Sequence, residues 1–114
     1  MTPYDKGDVI LVPFPFSDQT TSKKRPAVII SSNKYNDTSQ DIVIMAITTQ
    51  KRGNIGIGEF PIRNWQSLGL LKSSAVKSAI STIEQRLVLK KLGRLSPEDL
   101  SSLEKAIKEL LDLG

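Results

Sequence analysis

The chain contains no cysteine and no histidine. Without cysteine there are no disulfides and no thiolate metal sites, and a reducing compartment is the natural setting. Without histidine the commonest general base and the commonest metal ligand are missing, and every triad built on imidazole is excluded. Any catalysis falls to Arg, Lys, Ser, Thr, Tyr, Asp or Glu. Long apolar runs are missing too. No stretch approaches the ~18 residues a membrane span needs. Asp5, Lys6 and Asp8 interrupt the first residues at once, unlike a secretory signal. The expectation is a soluble cytoplasmic protein that does not associate with membranes. Aromatics are few, with three Phe, two Tyr and one Trp, so stacking on a flat ligand would rest on Phe14, Phe16 or Trp65.

What is present fits one domain over residues 1–114, with a modest core. The net charge of +4 is uneven. Residues 96–112 hold five acids and two bases, which leaves 14 bases against seven acids elsewhere. A basic body of this kind suits an anionic partner such as nucleic acid, or serves only solubility.

Three short runs rich in Val and Ile read as strands: Asp8–Phe14, Pro26–Ser31 and Asp41–Thr48. Proline at the start of the second is tolerable because a first residue need not donate to the ladder. The polar segment 13–24 joins the first two as a long loop, and Asn33–Asp41 reads as a turn. Gly53, Gly56 and Gly58 mark a further loop; it lacks the Gly-Lys-Ser/Thr ending of a phosphate cradle. Alternation in Ser73–Ile80 places Lys77 with Ala75 and Ala79 on one strand face. Ser96, Pro97, Glu98 and Asp99 open a helix by capping and dipole, and Leu100, Leu103, Ile107, Leu110 and Leu111 form its apolar stripe. Strands followed by a helix predict a mainly β fold with some α, a small barrel closed by the C-terminal helix.

Arg25 opens a buried strand, so its guanidinium is held at a fixed place and offers a planar fork to phosphate. The competing reading is solvated charge at a loop tip together with Lys23 and Lys24. Thr48 and Thr49 end the third strand and Gln50, Lys51 and Arg52 follow; their hydroxyls and amide suit phosphate and sugar oxygens, or the threonines are simply good strand residues. Phe16 and Ser17 lie in the polar loop, where Phe16 is the better candidate for stacking on an unpaired base, while Phe14 is expected in the core. Lys77 either reaches a phosphate or sits on a solvent face. Glu84 and Arg86 read as a turn with a local ion pair.

Taken together, "GDVILVPFPFSD", "KKRPAVIIS", "IMAITTQ" and "SAISTIEQRLV" resemble the MazF/PemK family of bacterial toxins, over about residues 5–111. The resemblance implies an SH3-like barrel and a homodimer. It implies the toxin of a type II toxin–antitoxin pair, a sequence-specific endoribonuclease that needs no metal or other cofactor. Single-stranded RNA and a cognate antitoxin would share one groove, and DNA would be met only through the antitoxin. Arg25 and Thr48 match the family's catalytic arginine and threonine. Phe16, Ser17, Lys23, Lys24, Thr49, Gln50, Lys51 and Lys77 are the candidate RNA contacts. Lys23 and Lys24 before Arg25, and Lys77 and Ser78 in the later strand, depart from the family pattern and leave the recognised bases open. Two other readings share the fold: a gyrase poison of the CcdB type and an RNA-binding barrel that does not cleave.

If several of these lysines contact phosphates, affinity for single-stranded RNA should fall steeply with salt. The expected slope of log K against log salt is about −0.7 per contact. Filter binding from low to physiological salt measures it, and a flat line would remove the electrostatic part of the reading.

Overall fold

The computed structural model describes residues 3–14, 23–49 and 55–114. Phe16, Ser17, Gln50 and Lys51 lie outside the described residues. Among the described residues six strands form one antiparallel sheet: β1 Asp8–Pro13, β2 Lys24–Ile29, β3 Asp41–Thr49, β4 Phe60–Pro61, β5 Ser74–Glu84 and β6 Lys90–Arg94. Their spatial order is β4-β5-β3-β2-β1-β6. The sheet curls into a half-barrel with β4 and β6 at its edges. Helix α1 spans Asn33–Thr38, and helix α2 spans Pro97–Leu111.

The Val- and Ile-rich runs form central strands because both of their faces are covered. Val9, Val28, Met45 and Ile47 pack on one side with Leu103 and Ala106 of α2. Ile10, Val12, Ala27, Ile29, Ile42 and Ile44 pack on the other with Ile83. A strand buried on both faces loses the usual apolar–polar alternation, and these runs lack it. Helix α2 begins as its sequence predicts. Ser96 Oγ accepts from the Asp99 N–H at 3.2 Å, and Pro97 occupies the first turn. Its apolar stripe differs from the expected one at the end: Ala106 is buried, while Leu111 is half exposed.

Two glycines let this helix approach the sheet. Gly7 has φ +92°, and a β-carbon there would collide with Leu100 of α2. Gly58 has φ +79°, and a β-carbon there would lie 2.9 Å from Leu110 Cβ. Both needs are met only by glycine. The described part of the expected Gly-rich loop is a turn, and Gly58 in it is packed against the helix; residues 51–54 lie outside the described residues.

Asn33–Thr38 is a helix rather than a turn. Ser32 caps it by accepting from the Tyr35 N–H at 3.1 Å. Gln85 Nε2 donates to the carbonyls of Asn36, Ser39 and Asp41, at 2.8, 3.0 and 3.1 Å, and ties the helix end to β3. Asp8 of the Gly-Asp-Val start is structural. Its buried carboxylate accepts from the Asp5 N–H and pairs with Lys91 at 3.1 Å and Arg94 at 3.3 Å, joining β1 to β6. Arg86 and Glu84 form the expected local pair at 2.7 Å.

Asp99 does more than favour the helix dipole. It is fully buried, and its Oδ2 accepts from the N–H groups of Arg63 and Asn64 at 2.9 and 3.3 Å. Asp99→Ala strands two part-buried amides as well as weakening the helix start. It should lower the unfolding free energy by about 2–3 kcal/mol. Urea denaturation checks this, and a loss below about 0.5 kcal/mol would show that the carboxylate holds nothing together.

Candidate functional site

Strand β2 begins two residues before its expected start, so Arg25 and Pro26 lie inside it. They pair with β1, Arg25 opposite Val12 and Pro26 opposite Leu11. On the other side, pairing with β3 begins only at Ala27, opposite Ala46. Proline has no N–H to give a ladder. At Arg25–Pro26 the two strands part, and the gap between them opens into clefts.

The register then fixes who faces whom. Ala27 lies opposite Ala46. Two residues back along β2 is Arg25, and two residues on along β3 is Thr48. Side chains two residues apart share a face, so Arg25 and Thr48 face each other across the open end on the same side of the sheet. Both line a cleft of about 280 Å³. Its floor is apolar, built from Val12, Ala27, Ile44 and Ala46, and its rim carries Phe14, Arg25, Thr48, Lys77 and Ser81. A second cleft of about 340 Å³ adjoins the first and shares Arg25, Pro26, Ile47 and Thr48 with it. Lys24, Thr49, Leu71 and Lys72 line its far side. The two clefts meet at Arg25 and Thr48, which line both, and are together called the groove.

The charge in this groove has one sign. Arg25, Lys77, Lys24 and Lys72 line it, and among the described residues no Asp or Glu does. Among the described residues the Arg25 guanidinium has no ion-pair partner. It lies over the Phe14 ring, 5.6 Å from the centroid. Such a contact is worth about 0.5–1 kcal/mol at an exposed site and leaves the donor edge of the fork open. Phe14 is therefore 44% exposed at the cleft and not in the core as expected. It is β2 pairing that puts it there: the Phe14 N–H donates to the Lys23 carbonyl at 3.1 Å, one step beyond Val12. The Thr48 hydroxyl likewise has no hydrogen-bond partner among the described residues. No group of three or more acidic residues able to hold a metal ion occurs among them either.

Of the residues expected at the site, the groove brings together Arg25, Thr48, Lys24, Thr49 and Lys77. Lys23 is exposed and lines neither cleft. Trp65 packs against the core beneath α2 instead of joining the groove. Leu71, Lys72 and Ser81 were not singled out from the sequence. Nothing in a Leu-Lys pair or a strand serine marks them; only the fold brings them to Arg25.

Lys77 reaches the rim through an irregularity in β5. Ile47 pairs with Val76 and Met45 with Ile80, so the strand carries extra residues opposite Ala46. Glu59 stands beside this bulge. Its carboxyl is held below the usual carboxylate range, first by the Gly56 N–H, then by the Ser78 N–H and the charge of Lys77, against the opposing effect of partial burial.

The model of the family described as PemK-like, MazF-like toxin of type II toxin–antitoxin system matches residues 5–111. The chain belongs to this family. Solved structures with the PemK/MazF-like fold are similar over nearly the whole length. An endoribonuclease from a mycobacterial species, in complex with its cognate antitoxin, has 19% identity and a TM-score of 0.78, with 97% of each chain covered. A complex of MazE and MazF from Deinococcus radiodurans has 18% identity and a TM-score of 0.75, covering 97% of this chain and 98% of that one. The Mycobacterium tuberculosis toxin MazF-mt6 has 22% identity and a TM-score of 0.73, covering 94% and 98%. These likenesses establish the fold. No curated protein matches the chain.

Because the Thr48 hydroxyl supports nothing else, its removal should cost little stability. Thr48→Val is expected to change the unfolding free energy by less than about 0.5 kcal/mol. A larger loss in a urea melt would mean that the hydroxyl serves the fold rather than the groove.

Proposed function

We propose that this PemK/MazF-like toxin is an endoribonuclease that cleaves single-stranded RNA in the groove centred on Arg25 and Thr48. The observation that carries the reading is their juxtaposition. A guanidinium and a hydroxyl, both without polar partners among the described residues, face each other at the parted ends of β2 and β3. A binder would need positive charge but no such pair. A gyrase poison would need neither.

The chemistry follows from these groups. The 2′-hydroxyl of the substrate gives up its proton and attacks the adjacent phosphorus, the bond from phosphorus to the 5′-oxygen breaks, and that oxygen takes up a proton, which leaves a 2′,3′-cyclic phosphate and a 5′-hydroxyl. Negative charge builds on the non-bridging oxygens as the bond forms. The Arg25 guanidinium presents N–H donors in a planar cationic fork. It therefore binds that charge, and a fixed donor of this kind supplies about 3–4 kcal/mol. Thr48 donates a neutral hydrogen bond to the same phosphate and holds it in line. In-line attack needs a ribose turned out of A-form geometry, and base reading needs unstacked bases, so the substrate is single-stranded.

Lys24, Thr49 and Lys77 contact the chain on either side of the scissile phosphate. Lys23, Phe16, Ser17, Gln50 and Lys51 are proposed contacts on sequence grounds. The toxin is one domain over residues 1–114, works in the cytoplasm as a homodimer, and is held inactive by a cognate antitoxin that fills the groove. It meets DNA only through that antitoxin. That MazF proteins have been solved with MazE supports the antitoxin part of this reading.

The test is incubation of the purified protein with a long single-stranded RNA in EDTA. Discrete fragments ending in cyclic phosphate are expected. Arg25→Ala should slow their appearance by about 10²–10³-fold, and Thr48→Val should slow it as well. A mobility shift of intact RNA would favour the non-cleaving binder. Untouched, unbound RNA with inhibited gyrase would favour the poison.

A further inference from the structure

The bulge in β5 is held from outside the cleft. Between the pairs Ile47–Val76 and Met45–Ile80, β3 advances two residues while β5 advances four. Lys77, Ser78 and Ala79 thus face a single β3 residue, Ala46. Such an insertion leaves backbone groups without ladder partners and re-aims the neighbouring side chains. Here the Ser78 N–H donates to Glu59 Oε2 at 3.4 Å. The other carboxylate oxygen, Oε1, accepts from the Gly56 N–H at 3.0 Å. One carboxylate therefore ties the turn before β4 to the irregular part of β5. Glu59 lines neither cleft. Its negative charge attracts the Lys77 ammonium without entering the groove.

We propose that Glu59 is a positioning residue for Lys77. By clamping the β5 bulge it keeps the Lys77 ammonium on the rim of the cleft that holds Arg25 and Thr48, where that ammonium grips a phosphate next to the scissile one. The proposal rests on the nuclease reading and adds to it the device that aims a second cation. A lysine has four rotatable bonds and is a poor fixed donor by itself; a fixed backbone and a neighbouring carboxylate narrow its reach. The placement also separates two needs. A carboxylate inside the groove would repel the RNA backbone, whereas one behind the bulge orients the cation from the far side.

Glu59→Gln tests this, since it keeps the size of the side chain but replaces one acceptor oxygen by an amide nitrogen. Exchange at whichever of the Ser78 and Gly56 amides loses its acceptor should speed up by about tenfold, while Ile47 and Val76 stay protected. In cleavage assays KM should rise by about three- to tenfold with a smaller change in kcat. Lys77→Met should give a similar rise, and the double variant should be no worse than Lys77→Met alone. Unchanged exchange at both Ser78 and Gly56, or fully additive effects of the two substitutions, would overturn the proposal. Should Glu59→Gln prove unstable, Glu59→Asp keeps the charge, shortens the reach by one methylene and carries the same measurements with the same sign. If the wild-type protein leaves RNA uncut, the nuclease reading fails. Exchange at Ser78 and Gly56 and the same double-variant cycle in RNA affinity then still decide whether Glu59 clamps Lys77.

Discussion

A single missing backbone donor shapes this molecule's functional face. Pro26 sits inside β2 but has nothing to give β3, and the two strands part where it lies. Everything of interest collects at that parting. Arg25 and Thr48 sit where the next pair of a regular ladder would be, and two clefts open on either side of them. Had the ladder continued, their side chains would stand on a closed surface with no space between the strands. Because it stops, a cation and a hydroxyl that belong to rigid strands also border open volume. Rigid placement beside a cavity is what a charge-stabilising site requires, since it removes the cost of reorganising donors as the reaction proceeds.

The rest of the fold serves to keep that parting in place. Both faces of β1, β2 and β3 are packed, one beneath α2 and the other around Ile10, Ile29 and Ile42. The Asp8 carboxylate fastens β1 to β6 through Lys91 and Arg94. Asp99 fastens α2 to the segment that follows β4. Charged groups at both edges thus hold elements whose apolar surfaces alone would not fix their ends.

Much of this was legible in the sequence, and the limits have physical reasons. The central strands announced themselves because burial on both faces demands unbroken β-branched runs. The C-terminal helix announced itself because Ser96, Pro97 and its leucine spacing act locally. Arg25 and Thr48 were found as separate strand-end residues, and family resemblance linked them; only the register of β2 against β3 brings them face to face. Helix α1 was read as a turn because Asn33–Thr38 is polar all round, and what stabilises it is the distant Gln85. Phe14 was placed in the core because an aromatic next to an apolar run usually belongs there, yet its pairing with Lys23 turns it to Arg25. Glu59, Lys72 and the β5 bulge were invisible because each acquires meaning only through a partner far along the chain.

The floor of the first cleft has a double membership. Val12, Ala27 and Ile44 border it, and the same three residues belong to the core packed on that side of the sheet, each at most 2% exposed. Enlarging them to reshape the cleft would disturb the packing that holds the strands, at a cost of about 1–3 kcal/mol for overfilling. The exposed lining residues Lys77 and Ala79 carry no such double duty. Room to reshape the cleft therefore lies at its exposed side, and the floor stays bound to the demands of folding.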